Sequence, residues 1–246
     1  MLLLVLATLT TSPMPTPPNP PAARLLVFSK TAGFRHGAIP VAQRAMQKMA
    51  SDKGFTVDVT EDSAAFTRAN LAKYDGVVFL LTTGDVLNRE QEQAFERYVT
   101  TGGGFLGVHS AADTEYDWPF YGNVLGGGYF MSHPQIQDAD IRVENRQHPT
   151  TKMLPETWRR RDEWYDYKTS PRGKATVLAS LNPKSYQGSK MPGDHPIIWC
   201  REVGRGRAWY TGLGHTDESY SEPLFLDSLY QAVQWVTEPK RRQRKR

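Results

Sequence analysis

One cysteine, Cys200, occurs in the 246 residues. A single thiol excludes any internal disulfide, which suits an exported protein and a cytosolic one equally. Long apolar runs are missing too. The stretch from Leu2 to Ala7 falls well short of the ~20 residues that cross a bilayer, so no transmembrane span is expected. No Walker A loop is present. Gly102-Gly103-Gly104 and Gly126-Gly127-Gly128 are not Gly-x-Gly-x-x-Gly leading into a helix, which argues against a nicotinamide cofactor. There is no His-x-x-x-His or comparable local ligand spacing. Any metal site must therefore be assembled from distant loops.

Charge is uneven along the chain. The formal net charge is +4, but six cations lie between Lys240 and Arg246, and without them it falls to −2. The basic balance belongs to the end of the chain, so no nucleic-acid partner is expected. The N-terminus is apolar, then Ser/Thr-rich, then proline-rich from Pro13 to Pro21. It resembles a secretory leader without its basic n-region. A secreted or periplasmic location is expected, or a cytoplasmic one if the leader does not function. Residues 1–22 read as leader and linker, 23–238 as one α/β domain, and 239–246 as a solvated basic tail.

Within the domain, Arg24 to Ser29, Gly76 to Leu81 and the run ending at Val108 are continuous apolar stretches, the mark of strands buried on both faces. Helical spacing occupies 39–52, with Gly54 as its C-cap, and 88–100, with Asn88 as N-cap. Residues 55–59 alternate as a strand. This alternation of strands and helices predicts βαβ crossovers and a mostly parallel central sheet, with the strands near 24–29, 76–82 and 103–109 adjacent. The second half offers strands at 141–144 and 175–181, a hairpin around Gly204-Arg205-Gly206, and a last helix over about 222–237.

Gly102 to Ser110 is the most informative stretch: glycines, a short buried strand, then a polar residue at its end. Open α/β sheets bind ligands beyond the carboxyl ends of their strands. A tight strand-to-helix bend there can hold up an active side chain, and here that residue is His109, not Ser or Cys. It does base chemistry, binds a metal, or simply packs. His36, His133 and His215 also follow strand ends or glycine-bearing loops. With a carboxylate from Asp162-Glu163 they form a candidate Zn²⁺ or Mn²⁺ set. Asp113 either orients an imidazole or caps the following turn. Aromatic residues after the bend, among them Tyr116 and Tyr129, either stack on sugar faces or fill the core.

Taken together, these segments resemble the ThuA-like (trehalose utilisation) family. The resemblance rests on Gly33-Phe34-Arg35-His36, the Gly102–Ser110 bend with Asp113, the glycine-rich segment ending His133-Pro134, Asp162-Glu163-Trp164-Tyr165, His195-Pro196-Ile197-Ile198-Trp199, and Gly204 through His215. It implies a flavodoxin-like three-layer sandwich of the class I glutamine amidotransferase-like group. Amidotransferase relatives use a cysteine at the bend, so thiol-dependent glutamine hydrolysis is not expected here. The resemblance also implies sugar catabolism, plausibly of 3-keto-glycosides, by base- or metal-assisted hydrolysis, elimination or isomerisation. His109 would then be base or ligand, and His36, His133 and His215 ligands or orienting groups. Glu163 would be acid/base or ligand, with Asp113 beside it. Arg35, Trp164, Tyr165 and Tyr129 would contact a carbohydrate. The alternative is a non-catalytic carbohydrate-binding module on the same scaffold.

Overall fold

The computed structural model describes residues 22–191 and 193–244; the leader reading for 1–22 falls outside them except at Ala22. The chain runs β1 (Arg24–Phe28), α1 (Ile39–Lys53), β2 (Thr56–Thr60), α2 (Arg68–Leu71), β3 (Gly76–Leu80), α3 (Arg89–Thr100) and β4 (Gly104–Val108). There follow α4 (Pro119–Val124), β5 (Phe130–Ser132), β6 (Gln137–Val143), β7 (Thr157–Asp162), β8 (Asp166–Tyr167), β9 (Thr176–Leu181), β10 (Pro196–Val203), β11 (Gly206–Thr211) and α5 (Pro223–Gln243). Nine strands form one sheet in the order β2-β1-β3-β4-β11-β10-β9-β6-β7. From β2 to β11 every neighbour pair is parallel; from β11 to β7 every pair is antiparallel. The small β5–β8 ribbon stands apart.

The expected adjacency of β1, β3 and β4 follows from their burial. β3 and β4 are buried at every position, so helices must cover both faces. On one face Phe79 and Phe105 pack against Phe95 of α3 and Tyr121 of α4. On the other, α5 comes so close that a Cβ on Gly104 would lie 2.5 Å from the Val236 carbonyl oxygen. The result is a three-layer α/β sandwich, flavodoxin-like in its parallel half. Helix signals were also local: Asn88 and Gln91 form a reciprocal capping box on α3, and Gly54 ends α1 at φ 74°.

Two features depart from expectation. β7 was not foreseen as a strand. Its inward residues are Trp158, Arg160 and Asp162, so two of three are charged and the apolar alternation is hidden. Residues 239–243 are helix and not a separate tail, while Lys245 and Arg246 lie outside the described residues. α5 continues to Gln243, through Pro239, and its cations are engaged. Proline leaves the Trp235 carbonyl without its helical donor, and Arg207 Nη1 donates to that oxygen at 3.0 Å. Lys240 lies 4.3 Å from the Tyr98 ring centroid, and Arg244 pairs with buried Asp75 and donates to the Ala22 carbonyl. No helix among the described residues is long and apolar enough to cross a membrane.

Candidate functional site

β1, β4 and β11 are mutually oriented so that their carboxyl ends share one rim. The loop after β1 carries His36, the residue after β4 is His109, and the loop after β11 carries His215. β7 is antiparallel to its neighbour, yet its end brings Glu163 to the same place.

His109 sits in the bend at φ 52°, a left-handed conformation that non-glycine residues rarely adopt. Its Nδ1 lies 2.9 Å from the Gly212 carbonyl oxygen, which can only accept. The proton is thereby assigned to Nδ1, and the Nε2 lone pair faces inward. His36 Nδ1 is 3.4 Å from Ser110 Oγ, and its ring meets those of His109 and His215 edge-on with centroids 5.0 and 5.1 Å away. Three atoms then converge. Glu163 Oε2 is 3.3 Å from His109 Nε2 and 3.1 Å from His215 Nδ1, and those two nitrogens are 3.1 Å apart. Donor atoms about 2.0–2.1 Å from a tetrahedral ion stand roughly 3.3 Å from one another. With His36, four donors lie within 4.8 Å of each other.

The electrostatics favour a deprotonated His36 and Glu163 but a protonated His215. Burial, then the neighbouring His109 and His215 imidazoles, push His36 down to about 3, so it is neutral at ordinary pH. Burial alone would raise the Glu163 carboxyl, but the neighbouring His109 and His215 imidazoles outweigh it and hold the group well below the usual carboxylate range, with His215 Nδ1 donating to it. Burial would lower His215; its bond to Glu163 wins and raises it.

Asp162 is the residue that positions this corner. It is fully buried and accepts from five groups: the Glu163 and His215 N–H through Oδ1, and the Gly214 N–H, Arg160 Nη2 and Ser219 Oγ through Oδ2. The carboxylate thus ties the Glu163 end of β7 to the His215 loop. Sequence reasoning saw it only as a second carboxylate beside Glu163. Its neighbour Arg160, two residues earlier on the same strand face, is the signal that a buried ion pair forms there.

Other expected site residues are redistributed. His133 is not one of the four close donors. It lies at the rim, 42% exposed in its side chain, with Nδ1 3.0 Å from the outer oxygen of Glu163. Asp113 orients no imidazole: its carboxylate accepts from the Tyr116 hydroxyl at 2.6 Å. Arg35 is held by a two-pronged pair with Glu61 at 2.7 and 2.8 Å. Trp164 is a core residue whose indole donates to the Gln137 carbonyl. Tyr165 does reach the site, its ring 4.1 Å from that of His109, but as a buried wall. Tyr129 stacks on Tyr116 and donates to the Glu115 carbonyl. Cys200 lies on β10, 3.7 Å from His148 Nε2, and burial pushes its thiol up to about 12. No thiolate is available at the bend. A cleft of about 1290 Å³ beside β6 and β9 has no comparable donor set, and its Arg172 is saturated by Glu144 and Asp194.

Known proteins give the site its context. The chain is similar to a ThuA-like protein of Bacteroides uniformis, with 29% identity over 89% of this chain and 94% of that one, and a TM-score of 0.76. A ThuA-like protein of Parabacteroides merdae has the same fold at 21% identity and a TM-score of 0.74, over 88% and 90% of the two chains. A β-galactosidase from Bacillus circulans shares the fold at 15% identity and a TM-score of 0.56, over 88% of this chain but 32% of its own. No curated protein is matched. The ThuA family, described as trehalose utilisation, matches residues 24–236, and the chain belongs to that family.

Proposed function

We propose that this protein is a metal-dependent enzyme of carbohydrate catabolism that acts on a sugar or 3-keto-glycoside by hydrolysis, elimination or isomerisation. The observation that carries the reading is the triangle of His109 Nε2, His215 Nδ1 and Glu163 Oε2, with edges of 3.1–3.3 Å at a ligand-binding rim. The donor set of three imidazoles and one carboxylate suits Zn²⁺ or Mn²⁺. Such an ion, when bound, supplies Lewis acidity toward a carbonyl or hydroxyl oxygen.

The protein's own groups then divide the remaining work. His36, His109, His215 and Glu163 hold and orient, and buried Tyr165 keeps water from one side of His109. His109 is a poor base because both ring nitrogens are committed. His133 is the better one. It is the accessible imidazole, and its bond to Glu163 lets it exchange a proton with the cluster. A ketone at C3 acidifies the C–H at C2, which lies between the ketone and the glycosidic carbon, and that is the proton such a base would take.

The test is an incubation of 3-keto-glycosides and their parent sugars with metal-loaded and chelated protein, followed by product analysis. Turnover of keto-glycosides by the loaded form alone is expected. Binding of sugars with no conversion under either condition would transfer the protein to the binding-module reading.

A further inference from the structure

A second depression lies at the amino edge of the sheet, away from the histidine rim. Leu71 and Thr101, which precede β3 and β4, are in its lining. It forms where α2, α3 and the last turns of α5 meet, and each helix supplies one cation: Arg68, Arg97 and Lys240. Ala72 and Ala94 leave the space, and the Tyr98 ring, 4.3 Å from Lys240 Nζ, forms a wall. The volume is about 230 Å³. Ordinary ligand pockets run to ~300–1,000 Å³, so this one suits a single small group rather than a whole sugar.

Its charge is unbalanced, because no acid lines it. Two other arginine-bearing clefts differ: Arg172 pairs with Glu144 and Asp194, and Arg207 pairs with Glu238. Arg68 and Arg97 are in no ion pair among the described residues. Asp75 attracts Lys240, but it is buried and already paired with Arg244. A helix end ordinarily claims a nearby cation, which would account for Arg97. Here the last carbonyls of α3 are taken. Those of Arg97 and Tyr98 accept from Thr101 Oγ1 and the Gly103 N–H, and that of Thr101 accepts from Gln243 Nε2. Lys240 spends one of its three N–H groups on the Leu71 carbonyl at 3.3 Å. Burial lowers its ammonium to about 8 against the pull of Asp75, a cost that an anion in the depression would offset.

We propose that the Arg68/Arg97/Lys240 depression binds the phosphoryl group of a hydroxyl-bearing phosphate monoester, at a site separate from the His/Glu cluster. Two guanidiniums and an ammonium match a dianion, whereas a carboxylate carries a single charge. A groove of about 440 Å³ adjoins the depression, shares Arg68 and Ala94 with it, and offers Glu90 and Gln93 to the hydroxyls of the remainder. The same phosphate chemistry is carried by a soluble ester and by a phosphatidic acid headgroup.

Isothermal titration of the full chain at low salt tests this with inorganic phosphate, glucose 6-phosphate and vesicles containing phosphatidic acid. Glucose 6-phosphate should bind the wild type at least as tightly as inorganic phosphate. Arg68 and Arg97 are both exposed, so the double variant Arg68→Gln/Arg97→Gln should stay folded. It should lose at least about tenfold in affinity for the phosphate probes and nothing in Zn²⁺ uptake. Lys240→Met should weaken the same probes, and Lys240→Arg should retain them. Preference for glucose 6-phosphate identifies the ligand as a soluble ester; preference for the vesicles identifies it as a lipid headgroup. A wild type that binds none of the three probes overturns the proposal. So does one that takes inorganic phosphate and refuses both esters. A double variant that binds the probes unchanged places the anion elsewhere, at a metal in the His/Glu cluster for instance, and overturns it too.

Discussion

The parallel strands β1, β4 and β11 deliver three histidines to one rim, and the antiparallel strand β7 delivers a single carboxylate. The histidines are placed by a general property of the architecture, because loops that follow parallel strands gather at one edge. Glu163 is placed by particular bonds. It reaches the cluster because Asp162 accepts from the Glu163 and His215 N–H groups at 2.9 and 3.0 Å and anchors on Arg160. Topology alone therefore builds most of the donor set. The fourth donor depends on a buried ion pair in the other half of the sheet.

Asp162→Asn should break that dependence most severely. It leaves buried Arg160 with Glu222 alone, 3.2 Å from Nη1, so the loss should fall at or below the low end of the ~3–5 kcal/mol of a broken buried pair, and it should weaken Zn²⁺ binding 10–100-fold by loosening Glu163 against His215. Urea unfolding and Zn²⁺ titration measure the two effects. Ser110→Ala is the matching change in the parallel half. The bond it removes is long, at 3.4 Å, so Zn²⁺ affinity should fall less than about tenfold. If Ser110→Ala proves the more damaging, the contrast between the halves is wrong.

A second carboxylate sharpens the contrast by pH. Glu115 is buried at φ 53° and accepts from the Val86 and Leu87 N–H groups, yet burial outweighs those bonds and raises its carboxyl to about 7. The folded state then binds more protons than the unfolded chain between the ordinary Glu value and about 7. Its contribution is fully present below that window and lost as pH rises through it. Glu115→Gln, which keeps an accepting oxygen, should gain on the order of 1–2 kcal/mol at pH 8 and flatten the stability profile between pH 5 and 7. A steeper profile in the variant contradicts the assignment. The smallest effect belongs to Cys200→Ser. Cys200 touches no member of the cluster, so Zn²⁺ affinity should stay within about twofold while stability falls by about 1 kcal/mol. Loss of Zn²⁺ binding in this variant, with the fold intact, would tie the thiol to the site.

The same division governs how much the sequence disclosed. Buried on both faces, β3 and β4 are written as unbroken apolar runs, and their order in the sheet followed from that. The convergence of His36, His109 and His215 was legible because strand-end position is a sequence property. β7 was not, since charged Arg160 and Asp162 point inward and pair with each other, which hides the apolar alternation. Arg35, Asp113 and Trp164 were assigned by nearness along the chain. In space each is held by another partner: Glu61, Tyr116 and the Gln137 carbonyl. The cationic end misled for a similar reason. Charge counts do not show that Arg244 meets buried Asp75 or that Lys240 lies over Tyr98.

The central claim is that the His/Glu cluster is a metal centre that needs the carboxylate from β7. Isothermal titration of the metal-free full chain with Zn²⁺, alongside Glu163→Gln, tests it most directly. The account predicts one ion per wild-type chain and an affinity at least about 100-fold weaker in the variant. A wild-type chain that takes up no Zn²⁺, or a Glu163→Gln chain that binds it equally well, would contradict it.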